Sequence, residues 1–288
     1  MQLKNHAVMI GMSRSGTTYM YHSLSNHPDI FVPARKEIGF FSHHYDKGHE
    51  WYKEFFKMAS NDKKTIDICG VYFTVEESLE RLKQLDESVK FILCFRDPYE
   101  WIFSLYEHYT KQFDMPDFST FLEGHEVKRE GTSIKFDFTN SQISKRIEAY
   151  REAFGDRLLI YDFAYFNKNQ LSVMNTIERF LGVKPFFSNE NNITEKINAR
   201  GAKKISHLYR ILHKAGLADF IAKNLPRNLV INIRKYLEKK AVHKVVKENI
   251  TYSASDMNKI KTMFLTDHEY YINIFKKSPM IFGNDSES

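Results

Sequence analysis

A short stretch near the amino terminus carries residue types that suit a phosphate. The apolar run Ala7–Ile10 predicts a strand, Gly11 lets the chain turn off it, and Gly16 begins a predicted helix. A loop between a strand and a helix aims backbone N–H groups and the positive end of the helix dipole at one point. The anion would be held by the loop cation and the residues around the helix start: Arg14, Ser15, Gly16, Thr17 and Thr18.

The spacing from Gly11 to Gly16 is that of a nucleoside-triphosphate-binding loop, but Thr17 stands where such a loop has lysine. An ATP-hydrolysing loop needs that lysine on the β- and γ-phosphates. Here the cation is Arg14, inside the loop, where it faces the bridge between a 5′-phosphate and the group attached to it. On spacing alone, a glycine-containing turn that binds no ligand stays open as an alternative.

A second candidate for anion binding follows a buried strand further along the chain. Phe91–Phe95 predicts that strand, and Arg96 comes directly after it, at the edge where open α/β sheets bind ligands. Pro98 fits the first turn of the next helix, and Ser104 lies two turns along it. We therefore expect Arg96 and Ser104 to close on one phosphate from two sides. The alternative is an Arg96–Asp97 pair with a solvated serine.

Three stretches together resemble the sulfotransferase family that uses 3′-phosphoadenosine 5′-phosphosulfate (PAPS). Residues 11–18 are similar to that family's 5′-phosphosulfate loop, and the run from Arg96 through Ser104 to Tyr106 is similar to its 3′-phosphate motif, R-D-P-x-x-x-x-x-S-x-Y. The K-E-x-x-F-F stretch of carbohydrate and bacterial sulfotransferases is matched by Lys36, Glu37, Phe40 and Phe41, followed by Gly48, Trp51 and Tyr52. The resemblance covers the first half of the chain well and is loose beyond residue 191.

The resemblance implies transfer of a sulfonyl group from PAPS to a hydroxyl or an amine of a small-molecule or carbohydrate acceptor, leaving 3′,5′-diphosphoadenosine. A cation stabilises the charge that builds on the bridging oxygen, and a base near the acceptor takes its proton. Arg14 fits the first task, and Glu37 stands where heparan-type relatives have the base. Lys36 either aids the leaving group or tunes Glu37. The alternative is a surface Glu37 that only pairs with Lys36 or Arg35; no metal is implied.

Two positions depart from the family pattern. Heparan-type relatives carry Lys-x-Pro ahead of an aromatic pair, whereas this chain has Ile68 in place of that lysine. This weakens the case for a second catalytic lysine and for a polyanionic sugar acceptor. Trp101 stands where many relatives have arginine after Arg-Asp-Pro, a change expected to leave the Arg96 contact in place.

Alternating strands and helices predict an α/β fold with a central parallel sheet flanked by helices, a P-loop-like three-layer arrangement. We expect residues 1–288 to form a single sulfotransferase-like domain with a helical C-terminal extension. The predicted strands are Ala7–Ile10, Thr65–Tyr72, Val89–Phe95 and Leu158–Tyr161. The predicted helices are Gly16–Ser25, Trp51–Phe56, Val75–Gln84, Tyr99–Gln112, Ile143–Phe154, Leu171–Leu181 and Asn258–Phe275.

The segment from about 196 to 250 is strongly basic: between Lys196 and Glu248 there are fourteen Lys or Arg against three acids. One interpretation is an amphipathic helical region with a solvated basic face. The other is a lid over PAPS, because sulfotransferases commonly close the cofactor site with a basic loop here. In that case Arg200, Lys203 or Lys204 would reach the 3′-phosphate. Binding of an anionic polymer or a membrane surface by the same face is a third, weaker option.

Composition agrees with a globular enzyme for an anionic ligand. The 288 residues carry a net charge of +6 and 42% hydrophobic residues, enough for a sizeable core. Cys69 and Cys94 fall in predicted buried strands, which indicates core thiols in a reducing compartment. The first strand begins almost at once, no apolar run approaches the length of a membrane span, and no nucleic-acid partner is indicated. We therefore expect a cytoplasmic enzyme.

The acceptor stays open at this stage, and so does the choice between O- and N-sulfonation, including that of a natural-product amine or carbamoyl group. A P-loop kinase for a small molecule is the alternative enzyme class. The missing lysine at Thr17 and the lack of a clear second acidic motif argue against it. A non-catalytic nucleotide-binding module is the alternative outside the enzymes, and it would leave Lys36 and Glu37 idle.

Overall fold

The computed structural model describes residues 5–111, 113–129, 132–136, 138, 142–187, 217–225, 229–230 and 250–285. The strands within those ranges are β1 (His6–Gly11), β2 (Ile30–Phe31), β3 (Lys64–Ile68), β4 (Lys90–Phe95), β5 (His125–Arg129), β6 (Thr132–Phe136), β7 (Leu158–Asp162) and β8 (Met280–Phe282). The helices there are α1 (Thr17–Asn26), α2 (Phe40–His43), α3 (Gly48–Lys53), α4 (Ser78–Lys83), α5 (Pro98–Thr110), α6 (Phe118–Glu123), α7 (Ile143–Phe154), α8 (Phe163–Lys168), α9 (Gln170–Leu181), α10 (Leu217–Asn224), α11 (Ala254–Met263) and α12 (Leu265–Ile274).

The central sheet has the strand order β2-β3-β1-β4-β7-β8 across the described part of the chain. The pairs of β2 with β3, β3 with β1, β1 with β4 and β4 with β7 are all parallel. This confirms the predicted parallel sheet for five strands. The added strand β8 pairs antiparallel with β7, so the sheet is mixed at that edge.

Side chains from alternate positions of β1 and β4 pack into two separate hydrophobic layers. Val8 and Ile10 face one cluster, which includes Ile102 of α5 and Ile147 of α7. Ala7 and Met9 face the other, which includes Leu24 of α1 and Ile177 of α9. Because both faces of the strands are covered, β1 and β4 are continuous apolar runs rather than alternating ones. The predicted three-layer arrangement is confirmed.

Two predicted elements end earlier than expected. The strand predicted to reach Tyr72 stops at Ile68, because the chain then turns toward the loop after β1, and Gly70 lies against the backbone of Ser13. The single helix predicted over Asn258–Phe275 is two helices, α11 and α12, which meet at Phe264.

Within the basic segment, the described residues are those of α10 and residues 225, 229, 230 and 250. Lys223 of α10 forms an ion pair with Glu54, and Asn224 accepts a hydrogen bond from Lys57 at 2.8 Å. The predicted ligands Arg200 and Lys203, and the alternative Lys204, lie outside the described residues. The lid therefore stays a prediction.

Candidate active site

The loop after β1 leaves several polar groups ready for an anion. Gly16 caps α1 in the left-handed conformation, with φ +82°, and no side chain in the described regions accepts the N–H groups of the first turn. The Ser15 hydroxyl is fully buried and has no hydrogen-bond partner among the described residues. Thr17 is buried and Thr18 is exposed at the start of the helix. These groups fit a phosphate at the positive end of a helix dipole.

Packing from three directions fixes this loop. The indole N–H of Trp101 donates to the carbonyl oxygen of Ser13 at 2.9 Å. A Cβ on Gly70 would lie 3.0 Å from Ser13 Cα, and one on Gly16 would lie 3.1 Å from the ring of Phe166. The tryptophan that replaces a family arginine therefore supports the backbone of the phosphate loop.

Arg14 lies at the centre of the site, and its backbone has a φ of +66°. Its Nε donates to the Ser104 hydroxyl at 3.3 Å, and its Nη1 lies 3.5 Å from Nδ1 of His108. Burial lowers the pKa of Arg14, and the nearby positive charge of Arg96 lowers it further. The structure thus joins the two predicted phosphate motifs through one guanidinium.

Arg96 continues from the end of β4 into the same region. Its Nη1 donates to the carbonyl oxygen of Arg14 at 3.0 Å, and its guanidinium lies 4.8 Å from the ring centroid of Phe163. Its Nε is buried without a hydrogen-bond partner among the described residues. The ion pair of Arg96 is with Glu100 at 3.4 Å. Asp97, the alternative partner, instead caps α5 by accepting from the N–H of Tyr99 at 2.9 Å.

Glu37 lies in the segment between β2 and α2. Its φ is +58°, and its N–H donates to the carbonyl oxygen of Ile68 at 3.2 Å. Its carboxylate pairs with Lys36 at 2.5 Å, with the Lys36 side chain 11% exposed and the Glu37 side chain 43% exposed. The charge of Glu37 favours the protonated forms of Arg14 and His108. The expected Lys36–Glu37 contact is therefore present, and the carboxylate is near enough to the arginine of the loop to act on its charge.

A buried polar network lies beneath the Glu37 segment. Asp67 of β3 accepts hydrogen bonds from Tyr72 at 2.7 Å and from Tyr52 at 3.1 Å. The Tyr72 hydroxyl in turn accepts from the N–H of Phe40 at 3.0 Å, which ties α2 to the network. Burial raises the pKa of Asp67 to about 6, although both tyrosine hydrogen bonds act in the opposite direction.

His108 is a site residue that the sequence reasoning missed. Burial and the charge of Arg14 lower its pKa to about 4. Arg14 can only donate, so Nδ1 of His108 accepts and the neutral ring carries its proton on Nε2. The available signal was its position four residues after Ser104, which places both side chains on one face of α5.

The structure brings together Arg14, Arg96, Ser104, Lys36 and Glu37, and adds His108 to them. Arg200 and Lys203 lie outside the described residues. Among the residues that the structure describes, no group of three or more His, Cys, Asp or Glu is arranged to hold a metal ion. In the same regions, no helix is both long and apolar enough to cross a membrane. Cys69 and Cys94 are buried free thiols, as predicted.

Residues 4–207 match the sulfotransferase domain family, and the chain therefore belongs to it. It is 27% identical over 205 residues to heparan sulfate glucosamine 3-O-sulfotransferase 5 of Homo sapiens, covering 64% of this chain and 55% of the relative. It is 30% identical over 232 residues to the membrane-associated sulfotransferase kil1 of Dictyostelium discoideum, covering 76% of this chain and 46% of that protein. The chain thus spans about half the length of these curated relatives.

The fold agrees with the family. The crystal structure of a sulfotransferase from Alicyclobacillus acidocaldarius superposes with a TM-score of 0.52 at 17% sequence identity. The match covers 77% of this chain and 94% of that one. The expected resemblance and the expected fold class are both confirmed.

Proposed function

We propose that this protein is a PAPS-dependent sulfotransferase that carries a sulfonyl group to a hydroxyl or amine of a small-molecule or carbohydrate acceptor. The observation that carries the proposal is that Arg96 donates to the backbone of Arg14 in the loop before α1, where no side chain caps the helix. Both guanidinium groups are half-buried, and the positive charge of Arg96 adds to burial in lowering the pKa of Arg14, an arrangement that favours an anionic ligand beside them. A nucleotide with separate 5′- and 3′-phosphate groups supplies two such anions.

PAPS supplies the sulfonyl group, and the protein supplies charge stabilisation and position. Arg14 and the N–H groups of residues 16–18 would hold the 5′-phosphate, whose bridging oxygen gains negative charge as the sulfonyl group leaves. Preorganised donors of this kind stabilise developing charge without reorganising during the reaction. Arg96 would hold the 3′-phosphate. Ser104, which accepts a hydrogen bond from Arg14, would lie between the two phosphates.

Glu37 is the proposed general base, and Lys36 orients or tunes it through their ion pair. The 43% exposure of the Glu37 side chain leaves it open to an acceptor, while its backbone is tied to β3. Burial and Arg14 keep the ring of His108 neutral at pH 7, and it could take a proton only at Nδ1, by giving up its contact with Arg14.

One named relative and one buried residue bear on the nature of the acceptor. The human relative is a heparan sulfate glucosamine 3-O-sulfotransferase by name, which supports a carbohydrate hydroxyl. Ile68, buried in place of the family's lysine, favours a less anionic acceptor than such a polymer. Transfer to an amine, and a cytoplasmic location, stay predictions.

Ligand titration of the full chain tests the donor site. We expect 3′,5′-diphosphoadenosine to raise the melting temperature far more than adenosine 5′-phosphate or ATP, because only it fills both phosphate positions. Tight binding stabilises the folded protein by about 2.7 kcal/mol at a hundredfold excess over Kd.

Arg96→Ala should weaken the binding of 3′,5′-diphosphoadenosine by roughly 1.5–3 kcal/mol and leave the binding of adenosine 5′-phosphate nearly unchanged. Equal shifts for the two nucleotides would reject the two-phosphate site, and a preference for ATP would favour the kinase alternative.

A further inference from the structure

Helix α12 lies beyond the residues that match the family, yet it reaches the amino ends of three other helices. Asp267, only 1% exposed, accepts from the N–H of Ser144 at 2.8 Å and from its hydroxyl at 2.7 Å. These contacts fix the start of α7. The next two contacts of α12 are made at the carboxyl edge of the sheet, where the phosphate groups are proposed to bind.

The first of these contacts is with the cap of α5. Nδ1 of His268 lies 3.1 Å from Oδ1 of Asp97, the same oxygen that accepts from the N–H of Tyr99. The rings of His268 and Tyr99 are stacked, with centroids 4.0 Å apart and an interplanar angle of 21°. Asp97 directly follows Arg96, so α12 holds the backbone on one side of that arginine.

The second contact is with the cap of α8. The Tyr271 hydroxyl donates to Oδ1 of Asp162 at 2.6 Å. Asp162 caps α8 by accepting from the N–H groups of Ala164 at 2.8 Å and Tyr165 at 3.1 Å. The residue between the cap and those donors is Phe163, whose ring packs against the Arg96 guanidinium.

Arg96 is therefore framed by two capping aspartates at the carboxyl ends of adjacent strands, since Asp162 is the register partner of Phe95. We propose that His268 and Tyr271 are positioning residues that aim Arg96 at the 3′-phosphate of the nucleotide. Through them, the C-terminal helix sets the selectivity for a nucleotide with a 3′-phosphate. The inference rests on the proposed function, because it takes Arg96 as the ligand of that phosphate.

The measurement is the ratio of Kd values for adenosine 5′-phosphate and 3′,5′-diphosphoadenosine, obtained by calorimetry on the full chain. A loss of general stability changes both Kd values together, whereas a misaimed Arg96 weakens only the ligand that carries the 3′-phosphate. Tyr271→Phe and His268→Ala should each reduce the ratio about three- to tenfold. His268→Asn, whose amide nitrogen stands near the place of Nδ1 and can still donate to Asp97, should restore part of it.

Tyr270→Phe is the matched control, because it removes a hydroxyl from the same helix that bonds Glu148 instead of a capping aspartate. This variant should keep the parent ratio. The inference is overturned if Tyr271→Phe and His268→Ala keep the parent ratio, or if Tyr270→Phe lowers it equally. Arg96→Ala distinguishes a failure of the proposed function from a failure of this inference. If Arg96→Ala keeps the parent ratio of Kd values, the proposed function is rejected. If Arg96→Ala loses that ratio while Tyr271→Phe keeps it, only the role of α12 is rejected.

Discussion

Arg14 is the residue that connects the two phosphate-binding motifs predicted from the sequence. Its side chain bonds Ser104, its carbonyl oxygen accepts from Arg96, and its charge acts on His108. The residue has a positive φ, a conformation that L side chains rarely adopt and that often marks functional sites. Its position therefore couples the proposed donor site to the groups that would handle the acceptor's proton.

Glu37→Gln tests the proposed base directly. The amide keeps the size of the side chain and its hydrogen bonding to Lys36 but cannot accept a proton. General base catalysis is typically worth about 10²–10⁴-fold, so single-turnover rates should fall by that order with little change in the Kd of 3′,5′-diphosphoadenosine. An amine acceptor that is already neutral should show a smaller loss than an alcohol.

Glu100→Gln is the control for that experiment, since Glu100 pairs with Arg96 and its side chain is 65% exposed. It should leave the rate within about threefold of the parent. If Glu37→Gln stays within the same limit and lowers only the melting temperature, Glu37 orders the segment and has no catalytic role.

His108 should take up a proton when the nucleotide binds. Its pKa is lowered to about 4 by burial and by Arg14, so the free protein holds it neutral above that pH. A phosphate on Arg14 offsets the positive charge that opposes protonation, which raises the pKa of the imidazole. Between about pH 5 and 6 the parent should therefore bind more protons with 3′,5′-diphosphoadenosine than His108→Gln does.

Calorimetry in two buffers with different ionisation enthalpies counts those protons. The phosphates of the nucleotide release protons on binding in this range, because the arginines lower their second pKa of about 6, but this release should be the same with both proteins. Equal uptake by the parent and His108→Gln would show that the imidazole keeps its charge state on binding.

At the scale of elements, the sequence predicted those strands and helices whose residue pattern is clear within the segment itself. The strands from Ala7 and Phe91 are buried apolar runs, and the helix Ile143–Phe154 has the predicted bounds. Gly182 closes α9 in the left-handed conformation, which glycine adopts most readily at the end of a helix. The short strand β8 was missed because three residues at the edge of a sheet carry too little pattern to be recognised.

The site was predictable where a motif carried it and not where contacts are long-range. Arg14, Arg96 and Ser104 were identified from stretches of defined spacing. Asp67 was missed because its significance comes from Tyr52 and Tyr72, which reach it only in the folded chain. The residues of α12 that contact the two caps are 171 and 109 residues away from those caps in sequence, and the sequence around them carries no pattern that indicates these contacts.

Gly70→Ala tests how closely β3 and the phosphate loop must approach. The added Cβ would lie 3.0 Å from Ser13 Cα, and backbone cannot give way as the end of a side chain can. We expect a loss of about 1–3 kcal/mol in stability and a clear weakening of 3′,5′-diphosphoadenosine, measured by denaturation and calorimetry.

Gly182→Ala serves as the comparison, because its φ of +74° makes alanine strained while no atom lies within 4 Å of the added Cβ. It should cost about 1 kcal/mol of stability and leave nucleotide affinity unchanged. Unchanged affinity in Gly70→Ala as well would mean that the loop tolerates displacement at Ser13.

At the scale of the whole molecule, one buried network links β1 to the Glu37 segment. Tyr52 donates to Asp67, and its oxygen lies 3.0 Å from Nε2 of His6. Nδ1 of His6 lies 2.8 Å from the Thr65 hydroxyl. Burial and the charge of Lys64 lower the pKa of His6 to about 3, whereas burial raises that of Asp67 to about 6. The two groups therefore affect acid stability in opposite directions.

The sign follows from which state binds more protons. Below pH 6.5 the unfolded state protonates His6 while the folded state does not until about pH 3, so stability is lost as the pH falls. Between about pH 6 and 3.8 the folded state protonates Asp67 while the unfolded state does not, so stability is gained as the pH falls. Each contribution changes by about 1.4 kcal/mol per pH unit, and over pH 6 to 4 the two nearly cancel.

Asp67→Asn should therefore make the protein more sensitive to acid than the parent, by about 1.4 kcal/mol per pH unit between pH 6 and 4. His6→Gln should change the slope by a similar amount in the other direction, and the double variant should return to the parent slope. Denaturant titrations at several pH values measure these slopes, and they compare each protein with itself, so a constant loss of stability does not disturb them. If all four proteins share one slope, His6 and Asp67 do not titrate between the folded and unfolded states as their burial requires.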